Sequence, residues 1–137
     1  MKLQMIQRLN FNIQASDLDN LTVVHAAVGD RNGMVDLHIR RDDVAIVNVV
    51  ESDSGSIEMR TLQQIVSDAG LTRLDALKID IEGHEDAALV PYLDSATPDM
   101  LPKRIVIEKV GAEDYPGCSA AFARLGYRLL TNTRNNS

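Results

Sequence analysis

The chain has 137 residues, 45% hydrophobic, 25% charged and 4% aromatic, with a formal net charge of −6. That length suits one domain, residues 1–137, with its own core, and the acidic balance excludes the basic face a nucleic-acid backbone requires. No apolar run matches a membrane span, the N-terminus is not a signal peptide, and the lone Cys118 allows no intrachain disulfide, so a cytoplasmic protein is expected.

Leu3, Ile6, Leu9 and Ile13 recur at helical spacing, so the first dozen residues read as an amphipathic helix. Asp17–Asn20 punctuates, and the β-branched stretch Leu21–Val28 reads as a strand ending at Gly29 and Asp30. Arg31-Asn32-Gly33 is turn chemistry, with strands expected over Met34–Ile39 and Val44–Val50 on either side of the breaker Asp42-Asp43. Ser52–Gly55 reads as a flexible turn, followed by a short strand, Ile57–Arg60. Thr61 is placed to N-cap a helix over Leu62–Ala69 that Gly70 stops. A strand over Asp75–Ile81 leads to a helix over His84–Leu93, which Pro91 is expected to kink or shorten. Past the loop around Pro98 and Pro102 come a strand over Arg104–Val110, a helix over Ser119–Leu125 and a final strand, Tyr127–Thr131. Thr133–Ser137 is a polar tail. The β-rich middle reads as a hairpin extension at a sheet edge. The β-α-β-α-β second half implies a parallel sheet, because parallel neighbours need crossover connections.

The densest chemistry lies in Leu77–Glu85, L-K-I-D-I-E-G-H-E. Leu77, Ile79 and Ile81 alternate with Lys78, Asp80 and Glu82, which places Asp80 and Glu82 on one strand face. Gly83 permits a sharp turn, and His84 and Glu85 open the helix. In open α/β sheets ligands bind beyond the carboxyl ends of the strands, so these side chains face the expected crevice. Asp80, Glu82 and Glu85 could orient an acceptor hydroxyl or amine and take its proton, because crowded carboxylates raise one another's pKa. Alternatively Lys78 and Lys109 neutralise them and Glu85 merely favours a helix start; residue types alone favour this second reading. His84 could be a base or a metal ligand, but an exposed histidine at a helix start is the favoured reading, and no metal is expected. His25 and His38 lack an acidic spacing, Cys118 has no partnered histidine, and Ser16, Ser54 and Ser56 have no G-x-S-x-G context.

The same segment resembles the K-I-D-x-E-G-x-E signature of the FkbM-type S-adenosylmethionine-dependent methyltransferases. Leu9-Asn10-Phe11-Asn12, Ala26–Asp30 with Gly33, Arg60-Thr61-Leu62, Ile105–Glu108 and Leu125-Gly126-Tyr127 are similar to further motifs of that family, in the same order. Gln63 stands where the family usually has an aspartate. The resemblance implies a class I methyltransferase-like (Rossmann-like) α/β fold with a mostly parallel sheet, and O-methylation of a small-molecule or sugar acceptor. It implies acceptor-side roles for Asp80 and Glu82, reversing the preference above for these two but not for Glu85. It also makes Gly29 and Asp30 candidate contacts to the adenine of S-adenosylmethionine, although Asp-Arg-Asn-Gly is equally ordinary turn sequence. No G-x-G-x-G cluster follows an N-terminal strand. The chain therefore reads as the C-terminal part of such a domain, truncated at its first β-α-β unit, with weak or no cofactor binding. The uncovered sheet edge points to a homodimer. The rival readings are a non-catalytic α/β remnant acting as an oligomerisation or interaction module and, less favoured, a metal-dependent hydrolase built on D-x-E-G-H-E.

Overall fold

A computed structural model describes residues 2–39, 47–51, 56–108 and 115–132. The elements run α1 (Lys2–Ala15), β1 (Ala27–Val28), β2 (Gly33–Ile39), β3 (Val47–Glu51), β4 (Ile57–Arg60), α2 (Leu62–Asp68), β5 (Ala76–Ile79), α3 (Glu85–Ser95), a 3-10 turn (Pro98–Met100), β6 (Arg104–Ile107) and α4 (Pro116–Leu125). Among the described residues no helix is long and apolar enough to cross a membrane.

Local chemistry sets the helix ends. Thr61 Oγ1 accepts the Gln64 N–H at 3.1 Å and caps α2. Three helices close in the same way, with a left-handed residue past the last turn and backbone bonds reaching back across it. That residue is Asp17 (φ 53°) after α1, Gly70 (φ 63°) after α2 and Gly126 (φ 78°) after α4, and the reaching N–H groups are those of Leu18, Leu71 and Tyr127.

The described strands form two sheets. The first has the order β1-β4-β2-β3. Here β1 and β4 are parallel, β2 is antiparallel to β4, and β2 and β3 make the expected antiparallel hairpin at one edge. The second pairs β5 with β6 in parallel, Ala76 opposite Arg104 through Ile79 opposite Ile107, and α3 lies between the two strands in the chain. Their inward residues Ile79 and Ile107 pack with Ala88, Leu89, Tyr92 and Leu93 of α3, Cys118 and Ala121 of α4, Val66 of α2, and Tyr115. This cluster is the core that supports the β5–β6 ends.

Several expectations are corrected. The mostly parallel sheet is instead a mixed sheet plus a separate parallel pair, so α/β holds at the coarser level. The strand expected over Leu21–Val28 is reduced to Ala27–Val28, because no described strand lies alongside the earlier residues to form a ladder. Tyr127–Thr131 likewise joins no described ladder, and Leu129 and Leu130 are 68% and 77% exposed. Pro91 does not shorten α3. The helix runs on to Ser95, because Tyr92 and Leu93 just beyond the proline are buried in the core and their burial, about 1.5–3 kcal/mol per large side chain, offsets the roughly 3 kcal/mol cost of an interior proline. α4 starts three residues before Ser119, with Pro116 at its first position, where a missing N–H costs nothing. Asp42-Asp43, Val44–Ile46, Ser52–Gly55 with Ser54, Lys109-Val110 and the tail Thr133–Ser137 lie outside the described residues.

The N-terminus of α4 is capped from another helix. Tyr115, at the capping position, has φ 62° and makes no side-chain cap. Asp86 of α3 supplies the acceptors, one oxygen taking the Gly117 N–H at 2.8 Å and the other the Cys118 N–H at 2.7 Å. A Cβ on Gly117 would come within 2.9 Å of Asp86 Oδ2, so glycine is what allows the approach. Burial acts to raise the Asp86 pKa, but the bonds from Cys118 and Gly117 prevail and hold it below its ordinary value of 3.8. A depressed carboxyl adds stability that is present above the unfolded value and is lost as pH falls through the folded one. Asp86→Ala should therefore cost about 1–2 kcal/mol at neutral pH, the size of a lost cap, and the difference from wild type should shrink below about pH 3.8. Urea denaturation of both proteins across the acid range measures both effects.

Candidate active site

The parallel register decides what faces what. One step beyond Ile79 opposite Ile107, Asp80 meets Glu108 across the carboxyl edge of β5 and β6, and the Glu108 N–H continues the ladder to the Ile79 carbonyl at 3.3 Å. Both side chains lie on the face turned away from the core, alongside Lys78, whose Nζ is 3.3 Å from Asp80 Oδ2. The two carboxyls are shifted in opposite directions. Hydrogen bonds from Glu108 and then Lys78 hold Asp80 below the usual carboxylate range. Glu108 is pushed up by its hydrogen bond to Asp80 and by that group's charge, then by burial and the charge of Glu82, with Lys78 opposing.

The residues after Asp80 do not continue the strand. β5 ends at Ile79, and Glu82 (φ 54°) and Gly83 (φ 95°) form a tight turn with the His84 N–H on the Ile81 carbonyl at 3.4 Å. Positive φ at both central positions is the type I′ pattern, which costs a non-glycine residue such as Glu82 roughly 1–2 kcal/mol. The expected common face for Asp80 and Glu82 is therefore corrected: Glu82 is exposed in the turn, and its charge acts on Glu108. Glu85 is 0% exposed. Its two carboxylate oxygens accept the Ile81 and Gly83 N–H groups, each at 2.9 Å, so both are committed to the chain's own backbone and not to an acceptor. His84 occupies the capping position of α3 without a side-chain cap bond. Among the described residues, no three His, Cys, Asp or Glu side chains gather in a group able to hold a metal. The D-x-E-G-H-E spacing is dispersed by the turn, which sends Glu85 inward and leaves Glu82 outside.

At the other candidate position, Gly29 is buried and its N–H bonds the Arg60 carbonyl at 3.1 Å. A Cβ there would lie 2.4 Å from Met59 Sδ, so the missing side chain makes room for Met59 of β4. Asp30 is exposed and pairs with Arg31 at 3.4 Å. His25 lines a depression of about 430 Å³ between α1 and residues 21–25, whose walls include none of the carboxylates above. His38 stands in β2 opposite Asn48. Cys118 is buried, and burial followed by its hydrogen bond to Asp86 raises its thiol pKa far above the usual value, which rules out a reactive thiolate.

Of two residues with decisive contacts, Glu108 enters the sequence reading only as the end of a family motif and Asp86 has no role in it. Glu108 had a legible signal: I-V-I-E, like L-K-I-D, is an apolar strand ending in an acid, and adjacent parallel strands with acidic ends bring the acids together. Asp86 had none, because its partners are 31 and 32 residues away.

The chain matches the family model of the methyltransferase FkbM domain over residues 6–129. No curated protein and no solved structure matches it.

The carboxyl pair makes a direct prediction. In a carbon-detected NMR titration, Asp80 should ionise below 3.8 and Glu108 above 4.5, their respective ordinary values. In Asp80→Asn the Glu108 midpoint should fall, because the neighbouring charge that raises it is gone. An unmoved Glu108 would show that the two groups do not face each other.

Proposed function

Because the chain belongs to the methyltransferase FkbM domain family, we propose that it takes part in S-adenosylmethionine-dependent methyl transfer to an oxygen of a small-molecule or sugar acceptor. The observation that carries this reading is the Asp80–Glu108 pair at the carboxyl ends of adjacent parallel strands, where α/β sheets bind ligands. An acceptor hydroxyl at that edge would donate its hydrogen bond to the pair. As the oxygen gains its methyl group, the hydroxyl proton passes to the carboxyl with the higher proton affinity, Glu108, when that group is ionised. Asp80 keeps its negative charge and orients the hydroxyl. A base whose pKa is raised toward neutrality is the more effective one.

The donor side fits less well. S-adenosylmethionine would need a backbone cradle and an acid for its nucleoside. Gly29 offers no cradle, since Met59 fills the space beside it, and Asp30 offers one exposed carboxylate already engaged with Arg31. Neither Gly29 nor Asp30 forms a seat for the cofactor, so calorimetry on the 137-residue chain should give weak binding or none. A low-micromolar dissociation constant would show that residues other than Gly29 and Asp30 hold the cofactor.

In a preparation that turns over S-adenosylmethionine, the acceptor-side reading predicts that Asp80→Asn lowers methyl-transfer turnover by about 10²–10⁴ while the denaturation midpoint changes little, because Asp80 is partly exposed and outside the core. Wild-type turnover in the variant, or loss of its fold, would remove Asp80 from the reaction.

A second reading, an interaction module that forms a symmetric homodimer, is favoured by apolar side chains left in solvent: Leu129, Leu130, Leu21 and Val24. Light scattering at rising concentration is expected to give twice the chain mass. A monomer at high concentration would count against self-association and leave the methyl-transfer reading untouched.

A further inference from the structure

A carboxylate with no exposure to water is rare, because ionised oxygens lose hydration that only strong hydrogen bonds replace. Glu85 is such a group, and its bonds go to the turn immediately before it. Its carboxylate reaches back from the first turn of α3 to the N–H groups on either side of Glu82. Those N–H groups would otherwise need other acceptors in a half-buried turn. The conformation they are held in is one that Glu82 would not adopt readily on its own, with φ 54° followed by Gly83 at 95°. We infer that Glu85 is a positioning residue whose buried carboxylate clamps the Ile81 and Gly83 N–H groups, holds the turn left-handed and so fixes Glu82 beside the Asp80–Glu108 pair.

The inference deepens the proposed acceptor site and rests on that reading for its functional meaning, but its geometry stands separately. Asp80 stands beside Glu108 one step past the β5–β6 register, Lys78 pairs with Asp80 on the same face, and Glu82 follows two residues later in the turn; of their charges, those of Asp80 and Glu82 raise the Glu108 pKa and that of Lys78 lowers it. Of these, only Glu82 depends on the turn for its place. Glu85 thus acts on the pair through Glu82 and touches no acceptor. A residue that merely stabilised the start of α3 would leave the titration of Glu108 alone, which makes that titration the discriminating readout.

The test uses the 137-residue chain and two isosteric variants, followed by carbon-detected titration of the side-chain carboxyls and by amide hydrogen exchange. Glu82→Gln removes the charge and keeps the turn, and the Glu108 midpoint should fall. Glu85→Gln replaces one acceptor oxygen by an N–H donor aimed at a backbone N–H. The Ile81 and Gly83 amides should then exchange about tenfold faster or more, as expected for losing a hydrogen bond to a charged group. The Glu108 midpoint should move the same way as in Glu82→Gln, with the Leu89 and Tyr92 amides still protected. Faster exchange at Ile81 and Gly83 with an unmoved Glu108 would overturn the inference and leave Glu85 a purely structural role. Should Glu85→Gln fail to fold, Glu82→Gln decides: a fall in the Glu108 midpoint supports the placement of Glu82, and no change overturns it. Failure of the methyl-transfer reading would appear separately, as full turnover in Asp80→Asn.

Discussion

Two consecutive carboxylates at the start of α3 join the end of β5 to the start of α4. Glu85 turns back and binds the loop that leaves β5, and Asp86 turns outward and binds the first N–H groups of α4. One helical turn thereby joins a strand end, a strained turn and a second helix. Helix starts leave N–H groups without partners inside the helix, and buried ones must find acceptors elsewhere. For α4 the acceptor is Asp86, whose charge also suits the positive end of the helix dipole. Gly117 completes the arrangement, since any larger residue would push Asp86 away from α4.

The candidate site follows from this frame and from the parallel pairing of β5 and β6. Parallel strands in register bring equivalent positions side by side, so two strands that each end in an acid produce a carboxyl pair at the sheet edge. The pair is asymmetric for a local reason. Lys78 sits two residues from Asp80 on the same strand face and favours the negative charge on that side, whereas the charges of Asp80 and Glu82 raise the Glu108 pKa. Both acids lie within residues 6–129, the span that matches the methyltransferase FkbM domain family, on the face of the β5–β6 pair turned away from the core.

Stability and chemistry are divided between neighbours in the sequence. Within Asp80–Asp86, Asp80 and Glu82 are exposed, and Glu85 and Asp86 are spent on backbone N–H groups. The core beneath, with Leu89 and Leu93 fully enclosed, carries α3 through Pro91 without a break at that residue. Packing overrode a local preference there because the burial lies beyond the proline and would be forfeited if the helix stopped.

Much of this was legible in the sequence. Thr61 and Gly70 marked the limits of α2 because caps and left-handed stops are properties of single residues. Alternation in Leu77–Ile81 placed a strand, and the ordered motifs from Leu9 to Tyr127 pointed to the family that residues 6–129 match. What the sequence could not decide was every feature that needs a partner distant in the chain. Leu21–Ala26 has strand-like residues but lacks a neighbouring described strand, and a strand exists only as part of a ladder. Asp80 and Glu82 alternate as if on one face, yet Glu82 lies inside a turn after the strand end, whose N–H groups the buried Glu85 carboxylate binds. Glu85 and Asp86 are two adjacent acids in the sequence. Only the tertiary structure made one a clamp on the preceding turn and the other a cap for α4, because the N–H groups they serve become neighbours only once the chain has folded.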